Sequence, residues 1–229
     1  MSTFAGPLTP FEEKGRAHAH IAFFGFLVAL PLGVGFARYL RTFYPKWLWG
    51  HMIVNFIVSG PLIFAGFALG VQTTTMSGLK HFNDPHQKAG LALLILYVAQ
   101  LLLGVFIHWI KVPRVFTALN GHRPQNFLHI IIGVSILALA SWQAHYGLYT
   151  EWAVATGNLH PVSNGCKRFW LAIVVIVWAL YLGGMALLPR QLRAERYAMR
   201  DAQAAKWAAA GRDSKEQHLM GQESPVAPA

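Results

Sequence analysis

Five stretches of this chain contain no Asp, Glu, Lys or Arg: residues 17–37, 47–79, 89–110, 124–150 and 169–189. Each is at least 21 residues long, and a hydrocarbon core of roughly 30 Å needs about 20 helical residues to cross it. Within lipid only a helix or a closed barrel satisfies the backbone, and runs this continuous lack the strict alternation of barrel strands. The sequence therefore predicts an all-α integral membrane protein of five transmembrane helices. Composition agrees: 55% of the 229 residues are hydrophobic and only 12% charged, about half the charged fraction of a soluble domain. The single cysteine, Cys166, excludes a disulfide scaffold, a cysteine-rich metal site and covalent haem attachment through a C-x-x-C-H motif.

The formal net charge of +10 reads as membrane topology, not nucleic-acid binding, because the cations lie between the apolar runs. An odd number of spans places the termini on opposite faces. Lys14, Arg16, Lys80, Lys88, Lys167 and Arg168 then share the amino-terminal face, and the other thirteen Lys and Arg share the opposite one. The positive-inside rule puts the carboxyl terminus in the cytoplasm and the amino terminus outside or in a lumen. The first sixteen residues are too short and polar for a signal peptide. Asp84-Pro85 reads as an N-cap followed by proline at the first helical position, and Pro45 and Pro124 as openers of the second and fourth helices. Pro31 and Pro61 fall inside spans, as kinks. Beyond Pro189, Arg190, Arg193, Arg196 and Arg200 recur at helical spacing, which predicts a polar helix ending near Gly211 and a disordered end. The expected organisation is a short segment 1–16, a membrane domain 17–189 and a cytoplasmic tail 190–229.

Eleven histidines stand out in so apolar a chain, since ionisable groups at membrane depth are costly and mark pathways or cofactors. His18, His51, His86 and His129 lie near the starts of the first four spans, one each. Because consecutive spans run antiparallel, His18 and His86 share one face and His51 and His129 the other, two pairs on the order of 20 Å apart. Two imidazoles on facing helices are what haem iron needs axially. Gly25, Gly33, Gly35, Gly60, Gly66, Gly90, Gly104 and Gly133 either make room for a macrocycle or serve close helix packing. His20, two residues from His18, points about 200° away and cannot face the same iron. The fifth span has no histidine and is expected to lie outside a four-helix core.

At these residues the sequence resembles the cytochrome b561 domain family, especially the form attached to DOMON domains. His18 followed by Pro31-Leu32-Gly33 and Ala37-Arg38 is similar to the first core helix. Gly50-His51 running to Ala65-Gly66-Phe67-Ala68-Leu69-Gly70 is similar to the second, Asp84-Pro85-His86 running to Gln100 and Gly104 to the third, and His129, Gly133 and Gly147-Leu148 to the fourth. The resemblance implies two non-covalent b haems, with His18, His51, His86 and His129 as iron ligands; the family's ligand falls at His18, not His20. It implies electron transfer across the membrane from a cytoplasmic small-molecule donor such as ascorbate. The acceptor on the opposite face is ferric iron, monodehydroascorbate or a redox partner domain. In enzyme terms that is a ferric or monodehydroascorbate reductase. Lys46, Arg38 and Arg123 sit where basic side chains would meet an anionic donor or the haem propionates. Lipid surrounds such a bundle, and a homodimer stays open. The DOMON form carries a soluble domain ahead of its helices, whereas here sixteen residues precede the first span.

Two other functions fit the apolar runs: a quinol-linked cytochrome b subunit, and a haem-free transporter or structural subunit. The last is poorly supported, because no span contains a carboxylate to bind a cation. With no nucleophile-and-base set or phosphate loop in the sequence, any catalysis resides in the cofactor.

Overall fold

The computed structural model describes residues 6–110 and 124–222. Five helices in it are long and apolar enough to cross a membrane. The first, α1, spans Pro10–Thr42, starting seven residues before the uncharged run. The early start has a local cause. The Thr9 hydroxyl accepts the Glu12 N–H at 3.3 Å while the Glu12 carboxylate accepts the Thr9 N–H at 2.8 Å, a reciprocal cap ahead of Pro10. Helix α2, Trp47–Ser77, ends at Gly78 in the left-handed region (φ 68°), where a residue without Cβ is at no disadvantage. Helix α3, Pro85–Trp109, is capped by Asp84, whose carboxylate accepts the Gln87 N–H at 2.8 Å. Helices α4, Pro124–Ala155, and α5, Asn164–Gly184, complete the set.

Pro124 is the first described residue of α4. Pro45 does not open α2: it occupies the turn before Trp47, and the residue preceding the helix is Lys46. Pro31 and Pro61 stand inside continuous helix, each just beyond a π-helical turn, Phe24–Ala29 and Val54–Ser59 respectively. A proline ring collides with the carbonyl four residues back and offers it no N–H; a widened turn at that place relieves the collision without ending the helix.

Helix α1 packs along α2 and α3 along α4, with α2 also touching α3 and the π turn of α1 touching α4. Leu27, Ile63, Leu93, Tyr97, Ile136 and Leu137, each at most 2% exposed, fill the middle of the bundle. Helix α5 lies against the second half of α1, where the Tyr39 hydroxyl donates to the Leu180 carbonyl and Arg38 donates to the Tyr181 hydroxyl at 3.3 Å. Outward positions such as Ile57, Leu102 and Val175 remain more than half exposed, as suits a surface solvated by hydrocarbon. Trp170, 9% exposed, turns inward against the core.

The chain from Leu187 forms a unit of its own, built on α6, Leu188–Gln222. This helix continues past Gly211, where the sequence suggested an end. Its alanine-rich stretch around Ala208, Ala209 and Ala210 has the highest intrinsic helix propensity, and one glycine costs only about 1 kcal/mol.

Candidate metal centres: two facing histidine pairs

The structure brings together the four histidines singled out by the sequence, in the expected pairs. His18 of α1 faces His86 of α3 with ring centroids 6.0 Å apart, and His51 of α2 faces His129 of α4 at 6.3 Å. In each pair the ring planes are steeply inclined, at 79° and 64°. Metal–imidazole bonds are roughly 2 Å long, so two rings approaching one ion from opposite sides stand about 6 Å apart, centre to centre. Both pairs fit that spacing. Among the described residues no group of three or more His, Cys, Asp and Glu side chains could hold a bare metal ion. Haem iron needs none, since the porphyrin fills four coordination positions and leaves two axial ones to the protein.

The ring orientations are fixed from behind. His18 Nδ1–H donates to the Gly66 carbonyl of α2 at 2.7 Å, and His51 Nδ1–H donates to the Gly33 carbonyl of α1 at 2.8 Å. A carbonyl can only accept, so both rings are protonated on Nδ1 and carry a free lone pair on Nε2, the state required of a ligand. Asn55 adds a donation to the His51 carbonyl at 2.7 Å. His20 behaves differently: it bonds the Arg16 carbonyl of its own helix at 2.7 Å and is exposed. Its position on the opposite side of the helix agrees with the spacing argument.

On α3 and α4 the backbone of each histidine is held from the other helix. Gln143 Nε2 donates to the His86 carbonyl at 2.7 Å, and Gln100 Nε2 donates to the His129 carbonyl at 2.6 Å. Since Gln100 stands opposite His129, and His86 begins fourteen residues earlier on the same helix, the two layers are separated by about 21 Å. The His51/His129 layer opens into a cavity lined also by Met52, Asn55, Gln100 and His108.

Several glycines serve the rings directly. A Cβ on Gly70 would come within 2.9 Å of His18 Cε1, one on Gly104 within 3.3 Å of His129 Cε1, and one on Gly147 within 3.2 Å of His86 Cε1. Gly66 has another part: its Cβ would meet the Ala22 backbone at 3.0 Å, so it brings α1 and α2 together. Asn55, Gln143, the packing of Gly70 on His18 and the acceptor role of the Gly33 and Gly66 carbonyls are additions to the sequence reading.

Of the basic residues expected near the second layer, Lys46 is exposed in the turn before α2, and Arg38 lies with its guanidinium 5.1 Å from the Tyr181 ring centre. Arg123 lies outside the described residues. At the other end His145 stacks on Tyr149 at 4.5 Å and Tyr146 on His86 at 6.2 Å.

Fold and site together define a class: a multi-pass helical membrane protein whose imidazoles pair across the bundle at two depths. The family described as eukaryotic cytochrome b561 matches residues 17–154, more than half of the chain, and the protein belongs to that family. It is thus a membrane protein of transmembrane electron transfer that binds b-type haem, which sets aside the haem-free alternative. Neither a curated protein nor a solved structure matches the chain.

Proposed function

We propose that the protein holds two b haems and passes single electrons through the membrane. The donor is a small cytoplasmic reductant such as ascorbate; the acceptor on the far face is ferric iron, monodehydroascorbate or a redox domain. The observation that carries this reading is the pair of ring separations, 6.0 and 6.3 Å, each suited to two ligands of one metal. His18 and His86 would hold the haem on the amino-terminal side, and His51 and His129 the one on the cytoplasmic side. When bound, haem iron alternates between ferric and ferrous and so supplies one-electron chemistry.

The chain's own residues set where that chemistry happens. The Gly66 and Gly33 carbonyls hold His18 and His51 in the ligating tautomer. The apolar centre between the layers, with Leu27, Ile63, Leu93 and Ile136 at most 2% exposed, excludes water from the path. Lys46 and Arg38, with Arg123, give the cytoplasmic end the positive charge that draws an anionic reductant or meets propionates. The preponderance of Lys and Arg on that side supports a cytoplasmic carboxyl terminus, with residues 190–229 read as a tail that follows a membrane domain of residues 17–189 in the sequence.

Purified protein supplied with haem is expected to carry two haems per chain by the pyridine haemochrome assay. His51→Ala should leave one, with the spectrum of the His18/His86 site. A count of one or none in the unmodified protein, or two in the His51→Ala variant, would overturn the reading. Rapid reduction by ascorbate and not by a short-chain quinol separates it from a quinol-linked cytochrome b subunit.

A further inference from the structure

The rings of His86 and His129 differ from those of His18 and His51 in one respect: their Nδ1 atoms are buried and find no hydrogen-bond partner among the described residues. A ligating imidazole normally donates that N–H to a carbonyl, carboxylate or water. The surrounding sequence supplies an acceptor. His86, Gly90, Gln100 and Gly104 of α3 recur forty-three positions later as His129, Gly133, Gln143 and Gly147 of α4. Each helix thus carries a His followed by Gly four residues on, then a Gln followed by Gly four residues on.

The spacing has a physical meaning. A helical side chain leans toward the N-terminus and covers the turn before its own Cα, so a glycine at position i+4 leaves the carbonyl of residue i open to the neighbouring helix. The first unit of the motif shows this. Gly90 bares the His86 carbonyl and Gly133 the His129 carbonyl, and the side chains that reach in are Gln143 and Gln100. A Cβ on those glycines would meet the incoming Nε2 at 3.4 and 3.0 Å respectively. The second unit has the same form: Gly104 bares the Gln100 carbonyl, and Gly147 bares that of Gln143. Against these two glycines lie the rings of His129 and His86, with Cε1 3.3 and 3.2 Å from where a Cβ would be. The same geometry already yields a bond on α2, where the glycine that packs on the His18 ring is Gly70 and the accepting carbonyl is that of Gly66, four residues earlier.

We infer that Gln100 and Gln143, each with the glycine four residues beyond it, are positioning residues for the iron ligands. The side-chain amide grips the histidine's carbonyl, and the main-chain carbonyl of the same glutamine accepts the histidine's Nδ1–H. Each of the two layers therefore receives one reciprocal clamp, Gln100 with His129 and Gln143 with His86. The inference rests on these histidines being ligands. It predicts which haem responds to which change, because Gly104 belongs to the cytoplasmic layer and Gly147 to the outer one.

The test uses the full chain in detergent or nanodiscs with both haems bound. With histidine labelled by ¹⁵N and the haems reduced, NMR is expected to show four slowly exchanging Nδ1–H signals shifted by the porphyrin rings. Gly104→Ala should remove one and displace the ferric/ferrous equilibrium of the cytoplasmic haem on the order of tenfold toward ferrous, about 59 mV for one electron. Gly147→Ala should do the same to the outer haem alone. Gln100→Met, which keeps the length but lacks the amide, should shift the cytoplasmic haem in the same direction. Two haems bound but only two such signals in the unmodified protein would overturn the clamp and leave the ligand assignment standing; this measurement needs no variant to fold. Potentials that move together, or not at all, would also overturn it. Retention of both haems in a His86→Ala variant would overturn the ligand assignment itself.

Discussion

At the scale of single residues, the Gly66 and Gly33 carbonyls decide which ring nitrogen His18 and His51 leave free. The four paired histidines are legible in the sequence, because an ionisable side chain near the start of each of four apolar runs is conspicuous. Their partners are not: a main-chain carbonyl has no letter of its own, and a glycine that uncovers one looks like any other glycine. Gln143 sits in the apolar run of α4, and its mark in the sequence is indirect: it stands as far beyond His129 as Gln100 stands beyond His86. A fifth histidine shows the opposite state. His160, in the loop between α4 and α5, places Nδ1 2.7 Å from a Glu12 carboxylate oxygen and Nε2 2.9 Å from the Gly6 carbonyl. Two acceptors call for two N–H groups, hence the imidazolium. The Glu12 bond, and then the Gly6 carbonyl, raise its pKa above 6.5. A folded-state value above the unfolded one means that this tie contributes fully below about pH 6.5. It is lost as pH rises through the elevated folded-state value. Protection of the amides in the first turn of α1, corrected for intrinsic base-catalysed exchange, should fall as pH rises above about 6.5, and His160→Gln should flatten that dependence; an unaltered profile in the variant would place the titration elsewhere.

At the scale of the helix, ends and contacts follow from identifiable residues. The Asp84 cap was readable because Asp-Pro before an apolar run has one common use, and the structure forms it. Asp84→Ala should lower the stability of the detergent-solubilised protein by about 1 kcal/mol, read as a lower denaturant midpoint. The widened turns before Pro31 and Pro61 were not readable, since proline signals a conflict with the helix but not how the chain resolves it. Pro45 shows the same limit: the sequence allowed it to open α2, and the structure spends it on the preceding turn. Between α1 and α2 the contact depends on Gly66. Gly66→Leu would force its Cβ against the Ala22 backbone, at a cost of about 1–3 kcal/mol, and would also withdraw the carbonyl that holds His18. The expected result is a protein that loses the outer haem before the cytoplasmic one on heating, followed as stepwise loss of Soret absorbance. Simultaneous loss would show that the contact does not bear on that layer.

At the scale of the whole molecule, a five-span bundle could be read directly from charge-free runs, because lipid imposes a length and a composition that few other environments do. Which helix lies beside which was accessible only by way of the alternation of helix directions, and that α5 leans on α1 was not accessible. In sealed vesicles with the carboxyl-terminal face outward, externally added ascorbate is expected to reduce the haems and deliver electrons to ferricyanide trapped inside; the reversed orientation should respond more slowly. Equal rates would remove the case for a cytoplasmic donor site. The duplicated His–Gly–Gln–Gly pattern of α3 and α4 bears on this comparison. Related by repetition and running in opposite directions, the two helices offer both leaflets nearly the same set of contacts. Such a conduit is close to ambidextrous in its middle. Any preferred direction would then have to come from its two ends, where Lys46 and Arg38 lie at one and the His160–Glu12 tie at the other.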